Sequence, residues 1–308
     1  MKPTIEHLTS HILMVRPVNF AFNEQTAASN AFQKPGRQTE VQQKALQEFD
    51  AFVEILRQNG VGVTVLNDTP DPHTPDSIFP NNWVSFHEDG SVFLYPMQAE
   101  NRRLERKVFY AIKEAFEAKQ VYDLSYFEQQ NRFLEGTGSL VLDRENKLAY
   151  ACISPRTDVD VINEFCKISG YQAVLFHAED ELGKAIYHTN VLMCIGGRFA
   201  VICLDSIVNG TEKTSVKEAL QQLGKEVVEI SFAQMNAFAG NMLQLQSKSG
   251  ESLLVMSETA FLALTKAQIE TLERYCKLVH SPLNTIETNG GGSARCMMAE
   301  VFLPVKTA

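Results

Sequence analysis

The chain has 308 residues but one tryptophan, seven histidines and six cysteines, and no cysteine belongs to a CxxC pair. Without CxxC motifs or closely spaced histidines there is no sequence signature of a zinc site, and no metal is expected. Several cysteines, such as Cys194 and Cys203, fall inside apolar strand patterns, where cysteine acts as a small hydrophobe. No apolar run approaches the length of a membrane span, and Met1–His7 lacks the apolar centre of an export signal, so we expect a reduced, cytoplasmic protein without a membrane partner. A basic surplus is missing too. Lys and Arg number 28 against 37 Asp and Glu, a formal charge of −9, which argues against a nucleic-acid partner. What is present is an ordinary apolar fraction of 44%, enough for a large core in one or two domains.

One stretch stands out, Thr288-Asn289-Gly290-Gly291-Gly292-Ser293-Ala294-Arg295-Cys296. Three glycines in a row are costly inside a helix or strand and are expected to form a loop whose backbone passes close to something else. The apolar run Met297–Leu303 then reads as a strand, which places a thiol at its mouth. Taken alone, this describes either a nucleophile or a small buried cysteine after a flexible turn.

Upstream, His11–Pro17 reads as a short buried strand, and Thr39–Asn59 carries apolar residues at helical spacing with Gly60 as its cap. From residue 81 onward a pattern recurs, in which a polar or glycine motif opens a strand, a turn and a second strand follow, and a helix comes next. The anchors Asn82, Glu135, Asn190, Asn241 and Gly292 are 53, 55, 51 and 51 residues apart. Expected helices fill Leu104–Ala118, Val159–Ser169, Ser215–Leu223 and Thr259–Leu278. Such a period indicates modular architecture. The last unit lacks a second strand, which Ile12–Val15 is placed to supply.

Four of these motifs, Phe79-Pro80-Asn81-Asn82, Leu134-Glu135-Gly136-Thr137-Gly138, His188-Thr189-Asn190 and Gly290–Cys296, make the chain resemble the pentein, or guanidino-group-modifying, superfamily over nearly all its length. That superfamily includes arginine deiminases, dimethylarginine hydrolases and amidinotransferases. The resemblance implies a single catalytic domain over 1–308, an α/β fold that is a five-bladed propeller of ββαβ units. It also implies Cys296 as nucleophile, His188 as general acid and base, and Glu135 as a supporting carboxylate. The chemistry is consistent with this. A thiol of ordinary pKa ~8.5 needs help to ionise near neutrality, and an imidazole supplies it and can then protonate a departing nitrogen. The bland readings are a strand cap for His188 and a solvated turn for Glu135.

Two departures bear on the substrate. In relatives that act on arginine, an aspartate stands at each of the positions held here by Asn82 and Asn190, where it neutralises the guanidinium. Asparagine keeps the shape but is neutral and can donate as well as accept. Two amides would forgo charge-assisted bonds to a guanidinium, yet they match a neutral ureido group, which needs a donor for its oxygen and an acceptor for its NH2. The chain therefore resembles the citrulline-hydrolysing branch. The alternative is that both asparagines merely hold turns.

Arg102 and Arg103 resemble the family's arginine pair, and Arg156 resembles its Ser-x-Arg-Thr segment. In relatives these arginines hold the substrate α-carboxylate, and we expect Arg156 and one of the pair, Arg103 ahead of Arg102, to do so here; otherwise the pair starts an exposed helix face and Arg156 precedes a helix capped by Thr157 or Asp158. Asp76 is the candidate for the α-amino group, or else part of a plain Pro75-Asp76 turn. The expected reaction is attack of Cys296 on the ureido carbon of a small amino acid, loss of ammonia, and hydrolysis of a thiocarbamate to ornithine and carbon dioxide, with no cofactor. A homodimer is compatible with the sequence. A guanidinium-directed hydrolase, deiminase or amidinotransferase, and a catalytically silent binding protein, remain as alternatives.

Overall fold

A computed structural model describes residues 7–27, 30, 32–34 and 38–306, so most of the Met1–His7 stretch weighed above lies outside the described residues. The described residues form five sheets of three strands. Four follow one plan, in which an antiparallel hairpin is extended by a parallel third strand that a helical connection brings back. They are Val84–Phe86, Ser91–Leu94 and Gln120–Asp123; Val141–Asp143, Leu148–Cys152 and Gln172–Phe176; Met193–Ile195, Phe199–Ile202 and Glu226–Glu229; and Leu243–Gln246, Ser252–Ser257 and Lys277–Ser281. The remaining sheet joins the two ends of the chain. Its centre is His11–Arg16, parallel to Gly62–Asn67 and antiparallel to Ala299–Glu300, with Ile12 opposite Glu300.

The helices form where the sequence supplies both an apolar face and a stop. Asp158 accepts from the backbone N–H groups of Asp160 and Val161, Val161, Ile162 and Phe165 face inward, and Gly170 ends the helix at φ +75. The long helix Gln38–Gln58 buries Val41, Ala45, Phe49, Phe52, Val53 and Leu56 and stops before Gly60, at φ +79.

The core is shared between neighbouring sheets. Leu13 and Val15 pack with Trp83, Phe86 and Val92, while Phe93 and Tyr95 pack with Ala149, Ala151 and Phe165. Tyr150 and Cys152 share a cluster with Val201, Leu254 and Met256, and Leu253 and Val255 share one with Ile12 and Met14. Among the described residues no helix is long and apolar enough to cross a membrane.

Three expectations need correction. The run Met297–Leu303 is not one strand, because Ala294–Met297 is a 3₁₀ turn and Ala299–Glu300 alone forms the strand there. Gly290 is not in a loop but closes the helix Asn284–Gly290, and Gly291 caps it at φ +64. The segment Thr259–Leu278 is not one helix. It breaks at Leu264, where Thr265 and Gln268 form a capping box that starts a second helix, and its end becomes a strand.

Candidate active site

Four of the strands are each entered through a short turn: Pro80–Asn82, Gly136–Ser139, Thr189–Leu192 and Ala294–Met297. These turns pack on one another. Glycine permits the approach. A Cβ on Gly136 would lie 2.3 Å from the carbonyl oxygen of Asn81, and one on Gly138 would lie 2.4 Å from Asn82 Nδ2 and 2.8 Å from His188 Nδ1. Asn82 and His188 therefore flank one small space beside Gly138.

The sulfur of Cys296 is buried among amides. Asn190 Nδ2 donates to it at 3.4 Å and Asn241 Nδ2 at 3.3 Å. The turn places this sulfur, since the Cys296 N–H donates to the Ser293 carbonyl at 3.0 Å.

His188 and Glu135 form a buried pair, with His188 Nε2 2.8 Å from Glu135 Oε2. Glu135 also accepts from Arg156 Nη1 at 3.3 Å and from the Gln98 N–H at 3.0 Å. Burial alone would raise the pKa of Glu135, but Arg156 and His188 outweigh it and hold the carboxyl well below its usual range. Burial pushes His188 down to about 4 despite the attraction of Glu135, so its imidazole is neutral at physiological pH. The Arg156 guanidinium lies 4.9 Å from the centre of the Tyr187 ring.

Arg102 is buried and its fork is committed. It donates twice to Glu105, at 2.8 and 3.0 Å, to the Phe79 carbonyl at 3.2 Å and to Asn82 Oδ1 at 2.9 Å. A guanidinium can only donate, so this contact fixes which end of the Asn82 amide is oxygen. Asn82 Nδ2 is then a buried donor with no partner among the described residues, and Asn190 Oδ1 is a buried acceptor in the same condition. Asp76 accepts from Asn23 Nδ2 at 2.7 Å through one oxygen, while its other oxygen is buried without a partner among the described residues. Burial raises the Asp76 pKa against the pull of Arg102.

Arg103 is not gathered with these residues. It donates to the carbonyls of Met97 at 3.0 Å and Gln98 at 3.2 Å, and shares a separate cavity wall with Asp123 and Tyr126. Two features escaped the sequence reading. Asn241 was visible as a phase marker, yet nothing in the chain revealed its contact with sulfur. The other is a strap from the N-terminal segment: Asn30 Nδ2 donates to the Gly290 carbonyl at 3.3 Å, Gln33 Nε2 to the same carbonyl at 2.9 Å, and the Lys34 N–H to the Thr288 carbonyl at 2.7 Å. Among the described residues no group of three or more His, Cys, Asp or Glu side chains is gathered as a metal site.

Comparison with known proteins bears on the fold and the family. No curated protein sequence matches the chain. Among solved structures, a variant of the N-terminal domain of ArgZ, covalently bound to a reaction intermediate, superposes with a TM-score of 0.75 at 20% identity, covering 96% of this chain and 99% of that one. Full-length ArgZ, an arginine dihydrolase from the ornithine-ammonia cycle in cyanobacteria, gives 0.75 at 18% identity, and this chain spans 41% of it. A variant of DDAH from Pseudomonas aeruginosa complexed with citrulline gives 0.65 at 15% identity, covering 95% and 98% of the two chains. At these identities the likeness establishes an α/β fold shared with pentein enzymes. A family profile described as N,N dimethylarginine dimethylhydrolase, eukaryotic, matches residues 16–303. On that match across nearly its whole length, the chain belongs to the dimethylarginine dimethylhydrolase family of pentein hydrolases, which act on carbon–nitrogen bonds.

Proposed function

We propose that the protein hydrolyses the ureido group of citrulline, giving ornithine, ammonia and carbon dioxide. One observation carries this reading: beside the Cys296 sulfur Asn190 leaves a buried amide acceptor, Oδ1, without a partner among the described residues, and Asn82, held by Arg102, leaves a buried amide donor, Nδ2, in the same condition. A ureido group presents an NH2 to the first and a carbonyl oxygen to the second. A guanidinium presents only donors, and would leave Asn82 Nδ2 facing an N–H with the Arg102 cation behind it.

The chemistry follows from the groups at hand. His188, a free base at rest, takes the thiol proton while the sulfur of Cys296 attacks the ureido carbon, and the carbonyl π pair moves onto oxygen. Asn82 Nδ2 stabilises that oxyanion. The oxyanion collapses, the C–N bond breaks toward nitrogen, and the proton held by His188 leaves with ammonia. Water then attacks the S-alkylthiocarbamate, His188 takes its proton, and the thiolate departs. The carbamate product decomposes to amine and carbon dioxide. Glu135 orients His188 and steadies its charged form. No metal or cofactor enters these steps.

We assign the α-amino group to Asp76 and the α-carboxylate to Arg156. Arg103 would have to leave the carbonyls of Met97 and Gln98 to join it, and Arg102 to leave Glu105. The scaffold we propose is a single domain whose five sheets form a closed propeller, since the shared apolar clusters link each sheet to the next and the last back to the first. A second reading, arginine as substrate, is favoured by the likeness to the arginine dihydrolase ArgZ.

The deciding experiment incubates purified protein with citrulline or arginine and measures ornithine, citrulline and ammonia. Ornithine from citrulline, with arginine processed at least tenfold more slowly, is expected, a margin matching the loss of one charge-assisted contact. Preference for arginine would refute the ureido assignment.

A further inference from the structure

We propose that Asn241 belongs to the catalytic set, as a second amide donor that stabilises negative charge on the Cys296 sulfur as its proton leaves and aims it at the substrate carbon. Its orientation is determined by what surrounds it. Asn241 Oδ1 accepts from the Arg295 backbone N–H at 3.1 Å, and since that group can only donate, the NH2 end must turn the other way. Asn241 Nδ2 then reaches both the sulfur, at 3.3 Å, and the Asn190 carbonyl, at 3.0 Å, while Oδ1 lies farther from the sulfur, at 3.7 Å. One side chain thus clamps the nucleophile to the residue that carries the substrate-facing acceptor.

The backbone is shaped to put it there. Phe238 adopts φ +62, a left-handed conformation rare for an aromatic residue, and the Asn241 N–H closes that turn on the Phe238 carbonyl at 2.8 Å. Gly240 leaves no room for a side chain, since a Cβ there would sit 2.4 Å from the Val191 carbonyl oxygen. Sparsely populated backbone and a forced glycine, next to each other beneath a reactive sulfur, point to a position under functional constraint.

The chemical motive rests on the ureido reading. A cationic substrate brings charge that favours the thiolate as it binds, whereas a neutral ureido group brings none. The protein itself must then stabilise the anion, and amide N–H groups from Asn190 and Asn241 do so without burying another charge. The charged and titratable groups on the elements packed about the sulfur are Arg295, Tyr187 and His188, and the test leaves all three in place.

The test is iodoacetamide alkylation of the free enzyme, without substrate, following the Cys296 peptide by mass spectrometry across pH. Asn241→Ala is expected to slow alkylation at pH 7 by about tenfold and to move the midpoint of the profile about one pH unit upward, the effect of one lost hydrogen bond to a charged group. Asn241→Asp keeps the shape but sets a carboxylate beside the sulfur, and is expected to shift the midpoint further. A folded Asn241→Asp protein with the wild-type rate and midpoint would overturn the proposal, and it decides the matter if the alanine variant does not fold. Should the wild type turn over arginine rather than citrulline while alkylation still responds to Asn241, the ureido reading fails and the thiolate donor stands.

Discussion

At the scale of single residues, the state of His188 sets how the reaction can start. An imidazole on the surface would be half protonated near pH 6.5, yet this one is pushed down to about 4 because burial disfavours its cation more than Glu135 favours it. In the reaction we propose, the resting protein therefore holds a base ready for the thiol proton. The acid limb of kcat/KM should lie near pH 4, and a pH–rate profile measured in short assays checks it. A limb at 6.5 would mean that His188 is solvated when substrate enters. The same shift acts on stability. The folded value lies below the unfolded one, so this contribution is complete above pH 6.5 and is lost as pH falls toward 4. Glu135, also lowered on folding, loses its contribution in the same direction at more acid pH.

At the scale of elements, the entry turns matter more than the strands they precede. Gly138 is helical with an ordinary negative φ, so alanine would be tolerated by the backbone; the obstacle is the side chains opposite. The added methyl would meet Asn82 Nδ2 at 2.4 Å and His188 Nδ1 at 2.8 Å. Gly138→Ala is expected to cost at least ~100-fold in kcat/KM, about 3 kcal/mol of transition-state binding, and to lower the urea midpoint by the roughly 1–3 kcal/mol that overpacking costs. Steady-state kinetics beside a denaturation curve would show whether the two effects separate.

How far these elements could be read from the chain depended on what each signal encodes. The entry motifs were legible because glycine and asparagine mark turns by their backbone preferences, and their phase gave the modular plan. The outer strands were harder to see. Gln120–Asp123 and Glu226–Glu229 are short, partly exposed and polar at both ends, so no apolar alternation announces them. The apolar run after Cys296 misled for the opposite reason: Met297 and Met298 are buried by packing around the site, without any strand pairing of their own. The sulfur's contact with Asn241 joins positions 55 residues apart and depends on three dimensions that no local pattern conveys.

At the scale of the whole molecule, Glu300 ties together parts that are distant in sequence. It lies in the strand that pairs with the N-terminal one, and accepts from Arg144 Nε at 3.0 Å and from Arg295 Nη2 at 3.0 Å. All three side chains are largely buried. Removing the carboxylate would leave two guanidinium groups without their anion. Glu300→Gln should destabilise the fold by about 3–5 kcal/mol, read as a lower denaturation midpoint at unchanged slope. A loss under ~1 kcal/mol would mean that water reaches the pair and screens it.

The grip of Arg102 on Asn82 makes the two asparagines to which we assign the ureido group unequal. An aspartate at 82 would find a guanidinium already in place and spend its charge on it, presenting the cavity with a salt bridge and little new attraction for a cation. An aspartate at 190 would meet the sulfur and the substrate without such a chaperone. Any conversion of this pocket toward a positively charged ligand thus has a preferred order, beginning at 190, with a change at 82 contributing only once Arg102 has itself been released.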